Sequence, residues 1–177
     1  MVRKPKEPSG VPPRSALRPS RRGIRELVLI TLFQLEFRPN RELDLSQVLI
    51  STMKGLHESE ETDTSERLPE LPERYVRFAL ELLVGVRSKI QEIDDVLQSF
   101  SHVWTISRIA RLERTILRIA LYELIWITDI PPAATLDEAI ELTKIYCAPE
   151  ATSFVNGILG NIYNHLEVLR QRGEAAI

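Results

Sequence analysis

LERTILRIALYELIWITDIPPAATLDEAIELTKIYCAPEATSFVNGILGN, residues 112–161, is the stretch that decides the fold. Its first fifteen residues place apolar side chains at steps of three and four, the spacing of one helix face. Further leucines and isoleucines fill the other faces, so this helix is predicted to lie buried in the middle of a bundle. Pro131 and Pro132 end it and open the next helix, because proline breaks a helix interior but fits a first turn.

Apolar residues with a helical period recur in the rest of the chain. A first helix is predicted from a Ser20 cap to the stop at Pro39-Asn40, and a second over 44–57 with Asp44 and Gln47 as a capping pair. A long third helix starts at Pro72 and runs to about Phe100, and the last begins at Pro149 and continues to about Leu169. This pattern predicts six to seven helices and no strand, which is the all-α class.

Composition and charge limit which kinds of protein this chain can be. With 177 residues, the chain has the length of one domain, and it contains no apolar run long enough to cross a membrane. The single cysteine, Cys147, suits a reducing cytoplasm and is interpreted as a small packed hydrophobe. Residues 1–25 hold eight basic residues and one acid although the formal net charge is -2, so a basic start precedes an acidic body. Residues 1–19 are also proline-rich, which predicts a disordered arm that is either a solvated tail or a contact for a polyanion.

The sequence gives no pattern typical of an enzyme. His57, His102 and His165 are isolated, without a partner at the spacing of a metal site or a catalytic triad. No glycine-rich phosphate loop is present among the 7 glycines. Four acids near the prolines are interpreted as caps and salt-bridge partners: Glu123, Asp137, Glu138 and Glu141. We therefore expect neither catalysis nor a metal or cofactor.

Three arginines open the first helix, in the string RRGIRE of residues 21–26. Arg21, Arg22 and Arg25 are expected to point away from most of the apolar stripe, at the positive end of the helix dipole. Guanidinium groups suit phosphate, so the cluster is either an anion site or a solvated helix face. The spacing alone favours neither interpretation.

The strings ILRIALYEL, DEAIEL and FVNGIL, in this order around a proline turn and with RRGIRE upstream, resemble the NusB family of bacterial transcription antitermination factors. The resemblance runs from about Ser20 to Leu169. It implies two small three-helix bundles packed across each other in one domain, residues 20–172. The two subdomains would cover about 20–100 and 101–172, with the arm 1–19 outside them.

The resemblance also implies site residues. Those expected to bind RNA are Arg21, Arg22, Arg25, Phe33, Phe100 and Phe154, and those expected to bind a protein partner are Glu113 and Glu150. The arginines would hold phosphates and the phenylalanines would contact bases. This chain departs from the family at Gly23 and Ser153, which replace positions that are often basic, and at Asp137, where asparagine is usual. These departures leave the fold intact and predict a modest affinity for RNA.

By resemblance, the function is non-enzymatic binding of boxA-type single-stranded RNA in rRNA leaders. The expected partners are the ribosomal protein NusE and the RNA polymerase complex with NusA and NusG, in the cytoplasm and without a membrane; a homodimer stays open. One alternative is an accessory RNA-binding domain for rRNA modification that acts in trans. Another is a plain helical oligomerisation module, which RNA binding would separate from the first two.

Overall fold

The computed structural model of the chain describes residues 19–37, 44–58, 71–100 and 105–174. The helices are α1 (Arg21–Leu35), α2 (Leu45–Glu58), α3 (Glu73–Ser88), α4 (Ile90–Phe100), α5 (Arg111–Trp126), α6 (Pro132–Tyr146), α7 (Ala151–Tyr163) and α8 (Leu166–Glu174), with a 3-10 turn at Ile106–Arg108. All regular structure in these ranges is helical, which confirms the all-α prediction. The arm before residue 19, the stop at Pro39-Asn40 and His102 lie outside the described residues.

Helix α5 is the centre of the molecule, as its sequence predicts. It packs against α1, α3 and α4, which precede it in the chain, and against α6, α7 and α8, which follow it. Leu117 and Leu121 lie on one face of this helix and Ile119 lies on the opposite side, and all three are buried. One hydrophobic core runs through all eight helices, because α5 joins the side chains of both groups. The proposed division into subdomains near residue 100 stays a prediction.

Two of the predicted helices are each divided in two, so the described residues form eight helices rather than the expected six or seven. The predicted helix 72–100 is broken at Lys89, whose backbone angles are φ -103 and ψ 13. The Lys89 N–H still donates to the Gly85 carbonyl at 3.0 Å, and the Lys89 carbonyl accepts from Ile93 at 2.9 Å. The backbone hydrogen bonds continue across the break, and neither proline nor glycine marks it. The apolar periodicity also continues, so the sequence pattern predicts a single helix here.

The last predicted helix is also divided, since α7 ends at Tyr163 and α8 begins at Leu166. It starts at Ala151 rather than at Pro149. The His165 N–H turns back to the carbonyl of Ile162 at 3.0 Å, which closes the turn between the two helices. The stripe that ends in Leu166 and Leu169 is nevertheless buried, so the pattern identifies the core face correctly although it misses the turn.

The helix starts follow the predicted caps. The Ser20 hydroxyl accepts a hydrogen bond from the Gly23 N–H at 3.0 Å, which satisfies one of the free donors at the start of α1. Asp44 accepts from the backbone of Ser46 at 2.9 Å and of Gln47 at 3.4 Å. The Ser20 cap and the capping role of Asp44 are therefore confirmed, while the reciprocal bond from the Gln47 side chain stays a prediction. No helix among the described residues has the length and apolar character needed to span a membrane.

Gly85 permits a close contact between α3 and α5. A Cβ built at this position would overlap the ring of Tyr122, which lies directly against the α3 backbone. The Tyr122 ring in turn stacks on Trp126, with 5.5 Å between ring centroids. The absence of a side chain at Gly85 thus leaves the space that the Tyr122 ring fills.

The C-terminal end of α1 is joined to α4 and α5 by ion pairs. Glu36 accepts hydrogen bonds from Arg114 at 3.0 Å and from Arg118 at 2.8 Å. Arg118 also holds Asp94 of α4 through two bonds of 2.8 Å. All four side chains are largely shielded from solvent, so this network fixes the end of α1 against the central helix.

We expect Leu117→Ala to lower the free energy of unfolding by about 2–5 kcal/mol, because it leaves a cavity in the centre of the core. Val84→Ala on α3 is the control, since Val84 is 48% exposed and its truncation should change stability by about 0.5 kcal/mol or less. Urea denaturation monitored by circular dichroism measures both changes. A cost well under 1 kcal/mol for Leu117→Ala would contradict the central position of α5.

Candidate nucleic-acid interface

The string RRGIRE at the start of α1 faces the bend between α5 and α6. Its three arginines each meet a carboxylate from that part of the chain: Asp129 for Arg21, Glu138 for Arg22 and Glu123 for Arg25. The three pairs differ greatly in burial. They therefore have different consequences for the fold and for any anion that approaches this helix end.

Arg25 is part of the interior. It is 4% exposed, and its Nε and Nη2 donate to the two carboxylate oxygens of Glu123 at 2.6 and 2.7 Å. The Thr135 hydroxyl of α6 donates to the same carboxylate at 3.0 Å. The expectation that Arg25 points away from the apolar stripe is therefore wrong. Its partner lies on α5, 98 residues later in the chain, and nothing in the local sequence of α1 indicates that pairing.

Arg22 lies at the surface and is held in a forked ion pair. Its Nε and Nη2 each donate to one oxygen of Glu138 at 2.9 Å. The hydrogen bond and the charge of Glu138 raise the pKa of Arg22 above its ordinary value, so its positive charge is secure. Arg22 is 47% exposed and Glu138 is 19% exposed, so one side of the pair is open to solvent.

Arg21 is the most loosely held of the three arginines. Its Nη2 lies 3.5 Å from Asp129, and both side chains are more than half exposed. The guanidinium also lies 5.2 Å above the ring of Phe78 on α3, a distance at which a cation is attracted to an aromatic face. Arg21 and Arg22 are thus the exposed cations of this helix end.

Glu26 extends the same junction into the core. Its side chain is fully buried and accepts a hydrogen bond from the Tyr146 hydroxyl of α6 at 2.5 Å. Burial, followed by this hydrogen bond and the charge of Glu26, strongly raises the pKa of Tyr146. Together with the Arg25 pair, this contact fastens the start of α1 to α5 and α6.

The predicted base-contacting phenylalanines lie on three helices, α1, α4 and α7, and each is partly buried. Phe33 meets the edge of Phe37 at 5.3 Å, and Phe100 lies 5.3 Å from the His165 ring beside a cavity of about 380 Å³. Phe154 packs against the core. No ring contact joins these three residues to one another in the part of the chain that the structure describes. They are partly accessible single rings rather than one stack.

Sequence reasoning missed an exposed aromatic residue next to this set. Phe37, at the end of α1, is 59% exposed, and the guanidinium of Arg111 lies 4.6 Å above its ring. The spacing of Phe33 and Phe37, four residues apart, is a signal for neighbouring rings on a helix. The cation above the ring comes from α5 and only the fold brings it there.

The predicted partner-binding acids are separate from the arginines. Glu113 is in the first turn of α5, half-buried, and burial raises its pKa. Glu150 is exposed directly before α7. Burial, and secondarily the charge of Glu113, raises the pKa of the Cys147 thiol to about 11, which agrees with its interpretation as a packed hydrophobe.

The interpretation of the acids around the proline turn as salt-bridge partners is confirmed for three of them. Glu123 and Glu138 hold arginines of α1, and Glu141 accepts a bond from Lys144 at 2.7 Å. Asp137 is exposed on α6. The described ranges contain no group of three or more His, Cys, Asp or Glu side chains arranged to hold a metal ion.

Comparison with known proteins identifies relatives over most of the chain. A family model described as the NusB family matches residues 22–164. A transcription antitermination protein NusB of Carboxydothermus hydrogenoformans is 34% identical over 148 residues, covering 84% of this chain and 95% of the relative. The protein of the same name from Desulfovibrio desulfuricans is 36% identical and covers 84% and 87%.

Solved structures share the fold. A NusB structure from T. maritima superimposes with a TM-score of 0.66 at 33% identity, covering 81% of this chain and 89% of that one. A crystal structure of the antitermination factors NusB and NusE in complex with dsRNA gives a TM-score of 0.64 at 22% identity, covering 81% and 96%. At that lower identity, the second likeness shows the fold alone.

The buried ion pair generates a prediction about stability. Glu123→Gln leaves the Arg25 charge buried without a counter-charge, and we expect it to lower the free energy of unfolding by about 3–5 kcal/mol. Glu73→Gln is the matched control, because the Glu73–Arg77 pair is largely exposed and its loss should cost about 1 kcal/mol or less.

Adding Arg25→Met to Glu123→Gln should recover part of the loss, since no unpaired charge then remains in the interior. Thermal and urea unfolding of the four proteins measures these effects. Equal costs for Glu123→Gln and Glu73→Gln would show that the buried pair has no special importance for the fold.

Proposed function

The chain belongs to the NusB family, and on this premise we propose that it is a non-enzymatic, RNA-binding transcription antitermination factor. It would bind boxA-type single-stranded RNA in rRNA leaders together with the ribosomal protein NusE. The observation that carries the proposal is the pair of exposed arginines, Arg21 and Arg22, at the capped start of α1. They lie where the part of the chain that is related to NusB proteins begins, and that part covers most of the chain.

Arg21 and Arg22 supply the phosphate contacts in this proposal. Both guanidinium groups reach solvent, and they stand at the positive end of the α1 dipole, where an anion is favoured. Arg25 is assigned to the fold instead, because its donors are turned inward to Glu123. Five further cations precede residue 19 in the sequence and add positive charge for a polyanion: Arg3, Lys4, Lys6, Arg14 and Arg18.

Partly exposed rings supply the base contacts. Single-stranded RNA is held by stacking of unpaired bases on aromatic side chains next to basic groups. Phe33, Phe100 and Phe154 are each only partly buried, as residues with such contacts must be. All three are phenylalanines, so the contact would consist of stacking without a hydroxyl hydrogen bond.

NusE and the RNA polymerase complex with NusA and NusG are the proposed partners. A structure with the same fold contains NusB and NusE in complex with dsRNA, which supports one fold that carries both a protein and an RNA surface. Glu113 and Glu150 are the proposed contacts for NusE. Glu113 is at the start of the central helix and Glu150 is exposed before α7, so both lie on elements other than α1.

The role of the exposed arginines can be tested with labelled boxA RNA at two salt concentrations. Arg22→Ala should weaken binding to every RNA sequence alike and flatten the salt dependence by roughly one ion or less, because a phosphate contact carries no sequence information. Lys54→Ala is the control, since it removes an exposed cation from α2. Equal losses in the two variants, with both proteins folded, would rule out the start of α1 as an RNA site.

Stacking and the partner are tested in the same titration. Phe154→Ala should weaken RNA binding by about 1–3 kcal/mol if a base stacks there. Addition of purified NusE should raise the affinity of the wild type, because the two proteins would share one RNA. Glu113→Gln should reduce that gain while changing the affinity for RNA alone much less. No gain from NusE would contradict the proposed antitermination complex.

A further inference from the structure

The exposed arginines at the start of α1 are not free charges. Each faces an acid from the α5–α6 junction, and the buried neighbours Arg25 and Glu26 add a further positive and a further negative group. Among the described residues, three arginines therefore stand beside four carboxylates: Glu26, Glu123, Asp129 and Glu138. A phosphate that approaches this helix end meets a nearly neutral cluster, although the sequence string RRGIRE is basic.

We infer that Glu138 occupies the phosphate-binding position of Arg22 in the free protein and thereby sets the affinity of this surface for RNA. The inference rests on the proposed function, since it concerns the same arginine and the same ligand. It names a residue of α6 that no part of the RNA-binding proposal uses. In this view Glu138 is an intramolecular competitor of the RNA backbone.

The geometry of the pair supports competition. A carboxylate and a phosphate each present two oxygens that match the fork of a guanidinium, and Glu138 already fills the edge formed by Nε and Nη2 with two bonds of 2.9 Å. Glu138 is only 19% exposed and is fixed on a helix, so it stays close to Arg22 whenever the RNA is absent. Phosphate binding at Arg22 must either displace this carboxylate or tolerate its negative charge next to the phosphate.

Glu138 competes with phosphate more strongly than Asp129 or Glu141 does. Asp129 makes a single contact of 3.5 Å with Arg21 and is 71% exposed, so solvent screens most of its effect. Glu141 contributes only a weaker charge effect on Arg22, and its carboxylate accepts a hydrogen bond from Lys144. The short bidentate contact distinguishes Glu138 from both.

Glu138→Gln tests the inference because it keeps the size and one carbonyl oxygen of the side chain but removes the charge. We expect this variant to bind a single-stranded boxA oligonucleotide about two- to fivefold more tightly than the wild type, the range that corresponds to a partly exposed ion pair. The gain should be the same for an oligonucleotide of scrambled sequence, since phosphates carry no sequence information. Glu141→Gln, with the same charge change one turn along α6, should give a clearly smaller gain.

A double-mutant cycle separates competition from a general charge effect. In the Arg22→Ala background, Glu138→Gln should no longer raise the affinity beyond what Glu141→Gln does, because the guanidinium that it would release is absent. Circular dichroism and the thermal midpoint confirm that each variant is folded. These measurements use the full chain and purified RNA without the partner.

The outcomes distinguish the inference from the proposed function. If the wild type binds RNA through Arg22 but Glu138→Gln binds no more tightly, the inference is wrong and the proposed function stands. Equal gains from Glu138→Gln and Glu141→Gln would also overturn it, since overall charge would then explain the effect. Absence of RNA binding by every variant would overturn both.

Discussion

The buried ion pair between Arg25 and Glu123 is the interaction on which the arrangement of α1, α5 and α6 depends. It places a positive and a negative group in an interior that would exclude either one alone. The Nε and Nη2 of Arg25 donate to the two oxygens of Glu123, and the Thr135 hydroxyl donates a third bond to the same carboxylate. The pair fixes the rotation of α1, since only one face of the helix can present Arg25 to the central helix.

This constraint determines which part of the string RRGIRE remains at the surface. With Arg25 and Glu26 turned toward α5 and α6, Arg21 and Arg22 are left at the surface beside the bend between those helices. The same helix start therefore has a structural half and an exposed half. A substitution in the structural half would disturb RNA binding indirectly, through the position of α1, and its effect on stability would reveal the difference.

Fold and binding surface are also linked through charge. The acids that hold α1 in place are the acids that reduce the positive potential around its exposed arginines. Stronger ion pairs between α1 and α6 would thus weaken the attraction of a polyanion to the start of α1.

The sequence by itself determined the all-helical class, the central position of α5, the caps at Ser20 and Asp44, and the family. These features depend on neighbours within a few residues or on the order of local strings, so a periodic pattern is enough to reveal them. The break at Lys89 and the turn between Tyr163 and Leu166 were not predicted, because the apolar stripe continues through both. Only the tertiary structure decided that Arg25 is buried, that Glu138 holds Arg22 and that Arg111 covers Phe37. The first two contacts join residues 98 and 116 positions apart, and which side chains meet over such separations follows from the packing of the helices rather than from any local pattern.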